Sequence, residues 1–100
     1  MSIEMEVAYI QEYQDISDLI KGARCALKLS KAALARQLQA RAGTTAVTGK
    51  IISRWERGIR VPGPYWRSHL APELGITRER LDHAARMTRR NRRQSPEHSQ

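Results

Sequence analysis

The residues whose type and spacing could do chemistry are cations. Lys50 and Arg54 stand four apart in Gly49-Lys50-Ile51-Ile52-Ser53-Arg54-Trp55-Glu56-Arg57-Gly58, so on a helix they are surface neighbours. Both can donate to the O6 and N7 acceptors of guanine. Arg does so with a planar two-pronged fork. Ile51 could touch a thymine methyl, and Ser53 is small enough to bond a base or a phosphate. The plainer reading of each is a solvated helix face. Other chemistry is poorly served. There is no Gly-rich phosphate loop, no pair of carboxylates at a working spacing, and no nucleophile with a base nearby. His69, His83 and His98 are never three or four apart, and Cys25 is the single cysteine. An internal disulfide and a multi-cysteine metal site are therefore excluded. No enzyme activity, metal or cofactor is expected.

The charge balance agrees with an anionic partner. The 100 residues carry 18 Lys and Arg against 10 Asp and Glu, a net charge of +8. Residues 1–18 hold five acids and no base, or −5, which leaves +13 on residues 19–100. Fourteen of the 18 basic residues are Arg. A strongly basic body suggests a polyanion, most often nucleic acid. No apolar run approaches the roughly 18 residues of a membrane span. The first thirty residues lack a basic segment followed by an apolar one, so no signal peptide is expected. The reading is a cytoplasmic protein with no membrane partner.

Five short helices must position these residues. Leu19, Ile20, Ala23 and Leu27 form one apolar stripe and predict a helix over 17–28, with Ser17 as its N-cap. Cys25 beside that stripe is expected to be buried or half-buried. Ser30 caps a second helix, 31–42, with Leu34, Ala35 and Leu38 inward and Gly43 as its stop. Thr48 caps a third, about 49–57, with Ile52 and Trp55 inward and Gly58 ending it. Pro62 and Pro64 break the chain. Pro64 suits the first turn of a fourth helix, 64–74, and Pro72 should tighten or kink its end. Thr77 caps a fifth, about 78–90, with Leu81, Ala84 and Ala85 inward. The domain is then 16–87. It is flanked by an acidic arm, 1–15, and a basic tail, 88–100, with no apolar side chain after Arg89 and a disordered end. Residues 1–14 fit a strand, a helix or a frayed arm.

Three pieces carry a specific resemblance. Leu29-Ser30-Lys31 is followed by Ala33-Leu34-Ala35. Ile52-Ser53-Arg54-Trp55-Glu56-Arg57-Gly58 closes the third helix. Pro62 precedes Leu70-Ala71-Pro72-Glu73-Leu74-Gly75-Ile76. Over about residues 17–85 this resembles the XRE family of helix-turn-helix regulators, of the Cro and phage-repressor type. The resemblance implies an all-α, five-helix domain with helix 3 in the major groove of double-stranded DNA. Gly49, Lys50, Ile51, Ser53 and Arg54 would then face bases, since recognition side chains lie near the start of that helix. Lys31 would anchor to phosphate at the start of helix 2. Thr48, Arg57 and Arg60 would add phosphate contacts, with Tyr65 and Arg67 as further candidates. Trp66 reads as core or rim packing. The resemblance also implies an ion pair between Arg24 of helix 1 and Glu56.

One departure stands out. Leu34 and Trp55 are 21 positions apart, about seven more than the family pattern, or about two helical turns. A longer helix 2 through Gln39-Ala40-Arg41-Ala42 and a loose Thr-rich loop are expected to absorb them. Thr44, Thr45 and Thr48 could then touch the DNA backbone. The resulting expectation is a sequence-specific DNA-binding protein acting in transcription regulation. An alternative is the antitoxin half of a toxin–antitoxin pair, with a protein partner held by the N-terminal arm or helix 5. A homodimer is also open, as is an architectural factor with mostly phosphate contacts.

Overall fold

The computed structural model describes residues 15–94. The expectations for residues 1–14 and 95–100 lie outside them. Five helices follow in order: α1 (Ile16–Ala26), α2 (Lys31–Ala42), α3 (Gly49–Glu56), α4 (Pro64–Leu74) and α5 (Arg78–Gln94). No strand occurs among the described residues. None of these helices is long and apolar enough to cross a membrane.

Local chemistry sets most of the boundaries. Ser30 Oγ accepts from the Ala33 amide at 3.0 Å, Thr48 Oγ1 from Ile51 at 3.4 Å and Thr77 Oγ1 from Arg80 at 3.1 Å. Each satisfies one amide that the first helical turn leaves without a partner. α4 begins on Pro64 and runs through Pro72 to Leu74.

The ends of α1 differ from expectation. Its N-cap is Asp15 rather than Ser17, which is buried within the first turn. The Asp15 carboxylate does not cap its own helix. It accepts from the Thr88 hydroxyl of α5 at 2.5 Å, and Thr88 Oγ1 in turn accepts from the Ile16 amide at 3.1 Å. The last helix thus caps the first. At its other end α1 stops at Ala26 because the chain turns left-handed at Lys28, with φ 59°. Lys28 donates to the Cys25 carbonyl at 2.9 Å and Leu29 to the Arg24 carbonyl at 3.1 Å, the two bonds that close a helix end of this type. Leu27 consequently leaves the apolar stripe and is 48% exposed. Cys25 is exposed as well, contrary to the buried or half-buried position expected.

α5 also corrects the domain limits. It continues to Gln94, four residues past the expected helix end, and takes in most of the stretch assigned to a tail. Thr88 is buried. A boundary at residue 87 would cut a packed helix. The extension has a physical basis: Arg is a good helix former, and Thr88 and Arg92 give these turns tertiary partners.

Ile16, Ile20, Leu34, Leu38, Ile52, Leu70 and Leu81 are buried at the centre, joined by Trp55 and Val47. α3 packs on α1 and α2, α4 on α2, and α5 on α1 and α4. Arg67 Nε pairs with Asp82 at 2.6 Å, and its Nη1 bonds the Pro62 carbonyl at 2.8 Å. That network ties the α3–α4 connection to α5. Arg67 is therefore a buried strut, not the phosphate contact suggested by its sequence position.

The α2–α3 connection is fastened rather than loose. α2 has 12 residues, about 18 Å at 1.5 Å per residue. A Cβ on Gly49 would lie 4.0 Å from the Ala32 nitrogen and the Lys31 Cβ, so α3 starts beside the start of α2. Residues 43–48 form a strap that returns along α2, and six residues can reach about 20 Å. Gly43 turns left-handed at φ 70° and donates to the Gln39 carbonyl. Val47 is fully buried, and its carbonyl accepts from Gln39 Nε2 at 2.7 Å.

Candidate nucleic-acid interface

α3 is an amphipathic helix of eight residues, about 12 Å long. Ile52, Trp55 and Glu56 are its buried side. At about 100° per residue, Lys50, Ser53, Arg54 and Arg57 fall within one arc of about 100° on the opposite side. Lys50, Arg54 and Arg57 are exposed there, and Ser53 is half-buried. Gly49 and Ile51 flank the arc. Ile51 packs partly against the core, which leaves only part of its side chain for a partner.

One acid sits on this helix, and it is turned away. The Glu56 carboxylate accepts from Arg24 Nε at 2.6 Å and Nη2 at 2.9 Å. The side chains are 2% and 11% exposed respectively. Arg24 Nη1 also donates to the Leu29 carbonyl at 2.8 Å. Arg24 is held above its ordinary pKa, chiefly by the hydrogen bond to Glu56, against the opposing effect of burial. The pair joins α1 to the last turn of α3 and fixes the roll of that helix. It also removes the one negative charge that could weaken the outer face.

Two other acids of the domain are ion-paired too. Glu73 pairs with Arg41 at 2.7 Å. Asp82 is held by Arg67, with Arg78 at 3.6 Å. Its pKa lies below the ordinary aspartate value, first because of the Arg67 hydrogen bond and then because of the nearby positive charges of Arg67, Arg78 and Arg86, while burial opposes them. By contrast, Lys50, Arg54, Arg57 and Arg60 have no carboxylate within ion-pair distance among the described residues.

The structure brings most of the sequence-derived candidates together. Lys31 lies at the start of α2, and its Nζ donates to Ser53 Oγ at 3.4 Å. Gly49, Lys31, Ser53 and the capping Thr48 therefore share one end of the α2–α3 pair, while Arg57 and Arg60 follow at the far end of α3. Thr48 Oγ1 is engaged as a cap, and Thr44 Oγ1 accepts from the Ala46 amide at 3.1 Å. Both hydroxyl oxygens thus accept within the chain, and these bonds leave their O–H donors unused. Tyr65 is 55% exposed, edge-on to Trp66 at 5.0 Å and to His69 at 4.8 Å between ring centres. Trp66 packs against the core and meets Trp55 at 6.2 Å.

One residue of this surface has no individual signal in the sequence. Arg92 Nη2 donates to the carbonyl of Gly58, just past the end of α3. Gly58 has φ +75°, and a Cβ there would come within 3.5 Å of that guanidinium. No local pattern links positions 34 residues apart, and the run that contains Arg92 reads from sequence as part of a basic tail. Comparison with family models, curated proteins and solved structures finds no match to this chain.

Proposed function

We propose that this chain is a sequence-specific DNA-binding protein of the XRE helix-turn-helix kind, with α3 in the major groove and a role in transcription regulation. The observation that carries the reading is the charge arrangement on α3. Its one acid is buried and neutralised by Arg24, while Lys50, Arg54, Arg57 and the following Arg60 are exposed with no ion-paired carboxylate among the described residues. A helix of this diameter fits a groove about 12 Å wide. The recognition set is Lys50 and Arg54 for bases, with Gly49 and Ser53 alongside and Ile51 at the edge. Lys31, Arg57 and Arg60 serve the phosphates.

The test begins with selection of bound duplexes from a random pool by the full chain. Arg54→Ala should then weaken the selected site by about 1–3 kcal/mol, about five- to 150-fold, and relax preference at one base pair. Lys31→Ala and Arg57→Ala should weaken all duplexes alike and flatten the salt dependence. Indifference of the unaltered protein to duplex sequence would overturn sequence-specific reading. Failure to bind any duplex would overturn DNA binding itself.

A further inference from the structure

We propose that the C-terminal turns of α5 form a second phosphate-binding strip, which engages duplex backbone outside the stretch addressed by α3. The inference rests on the function proposed above and adds a surface to it. Arg86, Arg89 and Arg90 are all exposed. Spacings of three and four place them on one face of the helix, with His83 one turn earlier on the same face and also exposed. The opposite face is committed inward through Leu81, Ala84, Ala85 and Thr88.

No carboxylate lies within ion-pair distance of the three arginines among the described residues. Asp82, one turn before Arg86, is taken up by Arg67 and Arg78. Among the described residues the strip is therefore exposed charge without a direct ion pair, Arg86 alone sensing Asp82 at longer range, on a rigid element. Its position relative to α3 is also fixed. Arg92, on these same turns, is bonded to the carbonyl at Gly58, between the exposed Arg57 and Arg60. Thr88 holds the intervening turn on the start of α1. The helix that carries Arg89 and Arg90 thus touches the exit of α3 directly, through Arg92, rather than through a flexible tether. Two neighbouring basic surfaces in one body suit a partner whose negative charge continues past the first. A duplex does so, with a phosphate about every 3.4 Å along each strand.

The experiment compares the full chain with R86Q/R89Q/R90Q and R86K/R89K/R90K. Binding is read against salt on the selected site in two lengths, one limited to the bases that α3 selects and one with flanking duplex. The Gln variant should lose affinity on the long duplex and keep it on the short one. On the long duplex its log–log salt slope should flatten by about 2–3, near 0.9 for each phosphate that is no longer neutralised. The Lys variant should retain the slope. Equal binding by all three proteins on the long duplex overturns the strip and leaves the function of α3 standing. An equal loss on short duplex, long duplex and heparin also overturns it, as a general polyanion surface. If the unaltered chain binds no duplex, the strip and the proposed function fall together.

Discussion

Replacing Arg24 by Met should be the most damaging single change to the ion pairs of this domain. Arg24 supplies both hydrogen bonds to Glu56 and a third to the Leu29 carbonyl. The Glu56 side chain is only 2% exposed, so Arg24→Met leaves a carboxylate with neither water nor a counter-ion. Breaking a buried pair from one side costs about 3–5 kcal/mol. Glu56→Met should cost less, because the guanidinium is more open, at 11%, and keeps its Leu29 partner. The double variant should recover much of the loss, since an apolar pair of similar volume removes both stranded charges. A domain of this size shifts by about 4–8 °C per kcal/mol. A 3 kcal/mol loss therefore means a drop of about 12–24 °C. The assay is thermal and denaturant unfolding of all four proteins, closed as a double-mutant cycle with a coupling of about 2–3 kcal/mol. A coupling below about 0.5 kcal/mol, within the additivity of independent sites, would refute the reasoning. So would a Glu56→Met variant less stable than Arg24→Met.

Thr88→Val keeps the shape but strands the Ile16 amide and releases Asp15, and should cost about 1–3 kcal/mol in denaturant unfolding; a change under about 0.5 kcal/mol would mean that the clasp is not made in solution. Gln39→Ala leaves the Val47 carbonyl without its donor, so protease cleavage within residues 43–48 should rise while the global stability falls by about 1 kcal/mol. Because Asp82 titrates below its ordinary value of 3.8, its stabilising effect is present above that pH and lost as pH falls through the lower folded value. Asp82→Asn should therefore flatten the acid limb of the stability–pH profile, and an unchanged limb would count against the Arg67 pairing.

The helix starts at Ser30, Thr48 and Thr77 were legible because each cap is a local bond between residues three apart. The inward faces of α2 and α3 were legible because an apolar period of a helix survives in any tertiary setting. The end of α1 was not. Lys28 adopts a conformation that sequence reserves for glycine, so the stripe was carried on through Leu27. The length of α5 was hidden because its last turns are held by polar bonds to positions 34 and 72 residues away, with no apolar stripe to announce them. Arg67 carried a faint signal. A cation in the first turn of a helix opposes the helix dipole, which argues for a partner such as Asp82. The exposed set on α3 could be named from the sequence. Its relation to Lys31 could not, because the strap over residues 43–48 sets it.

The contact between Thr88 and the Ile16 amide makes one proton a reporter for the whole last helix. That amide is the donor of a buried bond whose acceptor belongs to another element. It exchanges with solvent deuterium once that bond opens, by lifting of α5 from α1, by fraying of α5 through Thr88 or by opening of the domain. Amides in the middle of α5 exchange by the same event if the helix leaves as a unit, and more slowly than Ile16 if it frays from its C-terminal end, because fraying reaches Thr88 first. Comparing the Ile16 rate with theirs separates undocking of α5 from its unwinding. A polyanion that clamps the end of α5 to the exit of α3 would slow the Ile16 proton, at the opposite end of the chain from the arginines it touches.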